Sequence, residues 1–339
     1  MELYVGMDLH SNNTYVGIMD KETQGKVYHK RLPNELPRIV YELEPYRENI
    51  KAITVESTYN WYWLVDGLMD SGYEVRLANP AANQQYKGLK HSDDKSDAFW
   101  LAHMLSLNVL KKGYIYPKEE RPVRDLLRKR SYFVAQRTSN ILSLQSMIDR
   151  CTGHRTNSNI IKRFTEDEIN SLFKEEHQRL NAKSSINMIR SLEQEIKTIE
   201  KAVLKKAKLR KEFECLLTVP GIGYILALTI MYEVGDISRF PKVGNFSSYS
   251  RCISGKWTSN DKTKSKGNSK NGNKYLAWAF VEASNLSRRY NKKLNAFYQR
   301  KASSKNNIVA TKALSNKLSR ACYYIMKDQV PYKEDMLVS

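Results

Sequence analysis

Leu3-Tyr4-Val5-Gly6-Met7-Asp8 and Thr14-Tyr15-Val16-Gly17-Ile18-Met19 are two apolar runs separated by the polar turn Ser11-Asn12-Asn13. Runs of this length, bounded by Ser and Asn, read as adjacent strands. A third strand is expected from Lys26 to Leu32, then a helix near Leu36 to Tyr46. Ala52-Ile53-Thr54-Val55 reads as a buried-type strand, and Tyr73 to Leu77 reads as one more. Between these two strands, Trp61 to Met69 reads as a helix. Asp94 to Leu107 follows as another, with Ala98, Leu101, Ala102 and Leu105 at helical spacing. Three meandering strands, an alternation of helix and strand, and a closing helix form the order expected of an RNase H-like α/β domain.

Beyond this region the pattern changes. Val123, Leu127, Val134, Ile141, Leu144 and Ile148 fall on one heptad seam, interrupted by Arg130 and Arg137. Ile189, Leu192, Ile196, Ile199 and Val203 form a cleaner one, so an antiparallel helical pair or coiled coil is expected. From Phe213 onward two helices flank Val219-Pro220-Gly221-Ile222-Gly223, a turn of helix-hairpin-helix type. Glycines in such a turn let backbone amides approach a phosphate, here at Gly221 and Gly223. Residues 254–274 are rich in Ser, Lys, Asn and Gly and read as a flexible basic loop. The expected division is 1–115, α/β; 116–210, helical connector; and 211–339, mainly α.

Charge follows that division. The 339 residues carry 56 Lys and Arg against 36 Asp and Glu, a net charge of +20. Residues 1–115 hold 13 basic and 15 acidic side chains, whereas residues 239–312 hold 17 basic and 2 acidic. Such local asymmetry points to a polyanion gripped by the second half. A 41% hydrophobic fraction excludes wholesale disorder. The longest nearly uninterrupted apolar stretch, Tyr224 to Tyr232, is far short of the ~20 residues of a membrane span, and Met1-Glu2-Leu3-Tyr4 does not read as a signal peptide. Cys151, Cys215, Cys252 and Cys322 show no paired spacing, which disfavours zinc and disulfides and fits a reducing cytosol.

Asp8 ends the first strand and Glu56 follows the buried one, while Asp94 and Asp97 lie three apart on one helical face. Strand ends of a parallel-type sheet converge where ligands bind. Carboxylates gathered there repel one another unless a divalent cation, naturally Mg2+, sits among them. Asp93 is one turn from Asp97 and on spacing alone substitutes for Asp94. In the basic loop, Lys256, Lys262, Lys264, Lys266 and Lys270, with Lys274 beyond, surround several serines; composition alone does not single out Ser259 from Ser254, Ser265 or Ser269. His10, His29, His91, His103, His154 and His177 show no ligand spacing and are expected to be structural or superficial.

Together these stretches resemble the DEDD transposases of the insertion-sequence one-ten family, the bridge-RNA-guided recombinases. The amino-terminal match runs through Val5-Gly6-Met7-Asp8, Val55-Glu56-Ser57-Thr58 and Asp94-Lys95-Ser96-Asp97-Ala98. The carboxy-terminal match runs through Leu217 to Gly223, Glu233 to Pro241, Tyr249, and Lys270-Asn271-Gly272-Asn273-Lys274-Tyr275-Leu276. The family's Tyr-Ala-Gly-Leu-x-Pro segment reads here Tyr249-Ser250-Arg251-Cys252-Ile253-Ser254, and the Gly usual after the serine is Asn260.

The resemblance implies a RuvC-like domain in which Asp8, Glu56, Asp94 and Asp97 bind Mg2+, and a transposase domain with a nucleophilic serine. That serine lies ten residues after Tyr249 and fourteen before Asn273, which assigns it to Ser259. It further implies donor and target DNA, a structured guide RNA, a covalent serine–DNA intermediate, and a dimer or tetramer with a composite active site. The protein would be cytoplasmic and associated with the nucleoid, without membrane attachment. Two other functions fit the same residues: a resolvase-like nuclease that uses water with the same carboxylates, and a non-catalytic nucleic-acid-binding protein.

Overall fold

The computed structural model describes residues 1–79, 93–207, 210–253, 256–259, 262–266 and 271–334, with backbone alone at 206–207, 256–259 and 262–266. Contacts divide the chain into two compact units, Met1–Lys118 and Glu119–Ser339.

The first unit is built on five strands: β1 (Leu3–Leu9), β2 (Asn13–Asp20), β3 (Lys26–Pro33), β4 (Ile50–Glu56) and β5 (Val75–Ala78), in the order β3-β2-β1-β4-β5. The pairs β1–β2 and β2–β3 are antiparallel, whereas β1–β4 and β4–β5 are parallel. Alternation along β1 sorts its side chains onto two faces. Leu3, Val5, Met7 and Leu9 join Ile53 and Val55 in a core with Ile39, Leu43, Leu64, Val65 and Leu68. Those last five belong to α1 (Leu36–Leu43) and α2 (Tyr62–Asp70). Tyr4, Gly6 and Asp8 therefore face the other side, where α3 (Asp94–Ser106) packs against β1 and β2. The sheet is covered on both faces, as its mixed parallel centre requires.

Gly6 sets how closely α3 approaches. A Cβ on it would stand 1.8 Å from Ala98 O and 2.7 Å from Ala102 N. The bare strand backbone lies directly beneath the small residues of the helix. One residue pair further along β1, the same face carries Asp8.

Among the described residues, the second unit is helical apart from one antiparallel strand pair. Helices α4 (Arg121–Thr152) and α7 (Glu176–Ala207) pack side by side. Val123 and Leu127 at the start of α4 share a core with Ile199 and Val203 at the end of α7, so the pair is antiparallel. Arg130, which breaks the heptad seam, pairs with Glu200 at 2.7 Å across it. Where the sequence shows only a polar joint, α5 (Ser158–Ile161) and α6 (Glu166–Leu172) close the far end through Ile161, Phe164, Ile169 and Phe173. The remaining helices are α8 (Lys211–Leu217), α9 (Tyr224–Val234), α10 (Val243–Tyr249), α11 (Lys274–Tyr290), α12 (Lys292–Ser304) and α13 (Asn307–Asp328). Every residue of α9 from Leu226 to Val234 is buried. Its apolar run is thus a central core helix, the usual place for a helix hydrophobic all round. Among the described residues, no helix is long and apolar enough to cross a membrane.

The loop reading of residues 254–274 is corrected by the structure. Lys256–Ser259 (β6) and Lys262–Lys266 (β7) pair antiparallel, with Ser259 opposite Lys262, and Lys274 already opens α11. Trp257, Thr258 and Thr263 are strand formers.

Candidate active site

The structure brings Asp8 and Asp94 together and adds a residue that spacing missed. His10, in the turn after β1, sets its Nε2 3.1 Å from Asp8 Oδ2 and 3.3 Å from Asp94 Oδ1. The expectation that His10 is a bystander is therefore corrected. Two asparagine side chains fix the turn, because Asn34 Nδ2 and Asn60 Nδ2 both donate to His10 O at 3.0 Å. Asn34 in turn accepts from Thr14 Oγ1 at 2.7 Å, and Asn60 from Thr58 Oγ1 at 2.9 Å. A tight hairpin turn, rather than any two-histidine spacing, aims this imidazole, so a search for ligand pairs passes over it.

Asp8 is 4% exposed, and its pKa is pushed up to about 6. Burial is the main cause; His10 opposes it, and the charges of Glu56, Asp97 and Asp94 reinforce it. Glu56 closes β4 on the same sheet face as Asp8, two residues beyond the Gly6–Thr54 pair. Asp94 also binds Arg31 of β3, Nη2 to Oδ2 at 2.7 Å. Asp93 does not take its place: its Oδ1 accepts from Ser96 N at 2.6 Å, which makes it the N-cap of α3.

Among the described residues, the ligand atoms of Asp8, His10 and Asp94 all lie within 4.8 Å of one another. Two carboxylate oxygens and an imidazole nitrogen are a donor set that suits a divalent cation. Burial raises the Asp8 pKa first and the neighbouring carboxylates add to it; a cation would offset both by favouring the charged form. Glu56 and Asp97 border the set, and both act on Asp8 through charge.

In the second unit, Gly221 has φ +85, and a Cβ there would stand 2.5 Å from Ser287 N of α11. Its bareness thus serves the packing of the turn on α11. Gly223 precedes α9 as its N-cap, with nothing within 4 Å of an added Cβ. Lys274 is exposed at the start of α11, with Nζ 5.1 Å from the centre of the Tyr275 ring. Ser259, Lys256, Lys262, Lys264 and Lys266 are carried by the hairpin, their side chains outside the described residues, and Lys270 lies wholly outside them.

A DEDD transposase model of the IS110 group, described simply as a transposase, matches residues 5–152, which contain all four carboxylates. A second, described as the transposase IS116/IS110/IS902 family, matches residues 213–299, which contain the glycine turn and the hairpin. The chain belongs to the IS110 family of DEDD transposases.

The chain is also 23% identical over 300 residues to the transposase for insertion sequence element IS1111A of Coxiella burnetii (strain RSA 493 / Nine Mile phase I). That similarity spans 81% of this chain and 76% of the relative. Membership in the IS110 family implies transposition activity with DNA as substrate, and the DEDD class together with the Asp8–His10–Asp94 set fits a divalent metal.

Proposed function

We propose that the chain is an RNA-guided, Mg2+-dependent recombinase that moves its own insertion sequence. The observation that carries the chemistry is the convergence of Asp8, Asp94 and His10 beneath the Gly6–Ala98 contact. Asp8, Glu56, Asp94 and Asp97 hold the ion, with His10 supplying an imidazole nitrogen beside them. A bound divalent ion neutralises charge on the phosphoryl oxygens as they react. The strand order, with its antiparallel meander and parallel continuation, supports an RNase H-like, RuvC-like reading of this domain.

Ser259 is the nucleophile. Its Oγ forms a bond to the scissile phosphorus as the bond to the leaving deoxyribose oxygen breaks, and that oxygen takes up a proton. The serine–DNA phosphodiester keeps the bond count, so the reverse attack by a new deoxyribose hydroxyl reseals the strand. Lys256, Lys262, Lys264, Lys266, Lys270 and Lys274 offset phosphate charge, and the amides at Gly221 and Gly223 contact backbone phosphates. Three functional regions, 1–115, 116–210 and 211–339, serve metal chemistry, assembly as a homo-oligomer, and strand exchange. Guide RNA and DNA share the excess positive charge, and the protein works in the prokaryotic cytoplasm at the nucleoid.

The test uses Ser259→Ala and Asp8→Ala with element DNA and its RNA. Neither variant should recombine, and the wild type should yield a covalent protein–DNA adduct that Ser259→Ala lacks. Nicked DNA without any adduct would instead identify a water-using nuclease. Undiminished activity in Asp8→Ala would remove the metal chemistry.

A further inference from the structure

Helix α9 carries one carboxylate, Glu233, in its fully buried stretch. At 3% exposure it accepts two bonds from Arg128 of α4, Nε to Oε1 at 2.6 Å and Nη2 to Oε2 at 2.8 Å. Asn273 Nδ2 donates to the same Oε2 at 2.7 Å. Asn273 is also the N-cap of α11, its Oδ1 accepting from Tyr275 N at 2.8 Å and Leu276 N at 3.1 Å.

These groups fasten the two ends of one loop. Asn273 N donates to Tyr249 O at 2.6 Å, and Asn273 Nδ2 lies 3.4 Å from Tyr249 Oη. Beside them, Arg251 Nε and Nη2 donate to Gly272 O at 3.1 and 2.8 Å. Gly272 has φ +90, and a Cβ on it would stand 2.4 Å from Tyr249 O, so only glycine lets the strands of the neck approach. The sequence between Tyr249 and Asn273 carries the β6–β7 hairpin with Ser259.

A buried ion pair is a weak device for stability, because desolvation offsets its attraction and apolar residues of equal volume serve as well. What a bidentate arginine–carboxylate pair adds is direction. Here the direction is handed on: Arg128 orients Glu233, Glu233 orients the Asn273 amide, and Asn273 sets both the first turn of α11 and the closure onto Tyr249.

We propose that Glu233, held by Arg128, is a positioning residue for the Ser259 hairpin, fixing the neck from which the hairpin projects. The inference rests on the reading of Ser259 as nucleophile. It predicts a much larger effect on the rate of strand cleavage than on DNA grip, because long lysine side chains on the hairpin tolerate a small displacement that the reacting oxygen does not.

The experiment compares full-length wild type, Glu233→Gln and Asn273→Ser, with a duplex spanning the element terminus and the element's RNA. Asn273→Ser retains a good N-cap and leaves the Glu233–Arg128 pair intact, so it tests the link even where Glu233→Gln disturbs folding. The single-turnover cleavage rate at saturating DNA should fall about 10- to 100-fold, the range that small misplacements of a reacting group produce. DNA affinity should stay within about twofold of wild type, and amides of the neck at residues 249 and 273 should exchange faster. Unchanged cleavage despite faster neck exchange overturns the proposal, as do equal losses of rate and affinity, or unfolding of both single variants. Wild-type cleavage by Ser259→Ala would sink the nucleophile alone, because the neck exchange reads Glu233 independently.

Discussion

The Cβ that Gly6 lacks would stand 1.8 Å from the carbonyl oxygen of Ala98. That contact is backbone to backbone, and neither side yields as a flexible side chain would. It lays α3 flat on β1, so the first turn of the helix delivers Asp94 and Asp97 to the strand end that carries Asp8. Gly6→Ala should therefore cost about 3 kcal/mol, the upper range for overpacking a core. It should also move the carboxylates apart. Urea unfolding measures the first effect, and loss of the stabilisation conferred by added Mg2+ on the folded fraction measures the second. A variant with wild-type stability would mean that α3 can lift without consequence.

The pKa of Asp8 near 6 makes metal-free stability depend on pH with a definite sign. The folded state holds the Asp8 proton more tightly than the unfolded chain, whose pKa is 3.8. This contribution to stability is fully present below pH 3.8 and is lost as pH rises through about 6. In EDTA, the melting temperature attributable to this group should fall across that window, and Asp8→Asn should remove the slope. Added Mg2+ should act in the opposite sense, stabilising more above pH 6 because cation and proton compete for one carboxylate.

His10 separates two descriptions of the same site. Its charge is the main influence that lowers the Asp8 pKa against burial and the neighbouring carboxylates. His10→Ala should move the midpoint of the wild-type melting slope to higher pH, and Mg2+ binding should shift with it. Calorimetric Mg2+ titrations from pH 5 to 8 measure the displacement. An unmoved midpoint would return His10 to the role that its isolated position in the sequence suggests.

The meeting of Asp8 and Asp94 was legible because strand alternation and helical spacing are local: Asp8 shares a face with Gly6, on which α3 packs. His10 was not, since its placement depends on Asn34 and Asn60 reaching back to one carbonyl from distant points in the chain. Asp93 and Asp94 were interchangeable by spacing, and only capping of α3 separates them. In the second unit the polar composition of residues 254–274 hid a hairpin, because Lys and Ser outweigh the few strand formers that set its register. The contact between Tyr249 and Asn273 was equally invisible: they bracket the serine in sequence, and folding joins them.

The turn Val219-Pro220-Gly221-Ile222-Gly223 carries two duties that substitution can separate. Gly221 combines φ +85 with a 2.5 Å approach of its absent Cβ to Ser287 N. Gly221→Ala should destabilise by at least 1–3 kcal/mol, the usual cost of a left-handed non-glycine residue, with the clash on α11 adding to it. Gly223 has φ −93 and open space around it. Gly223→Ala should consequently leave the melting temperature almost unchanged. Gly223→Glu should keep the fold while setting a carboxylate at the open helix start. DNA affinity should then drop, most at low salt, where repulsion between that carboxylate and phosphates is least screened. Equal DNA affinity of Gly223→Glu and wild type at low salt would leave the turn a packing element alone. Phosphate contact would then fall to the lysines of the hairpin, and the close approach of Gly221 to Ser287 would account for that glycine by packing alone.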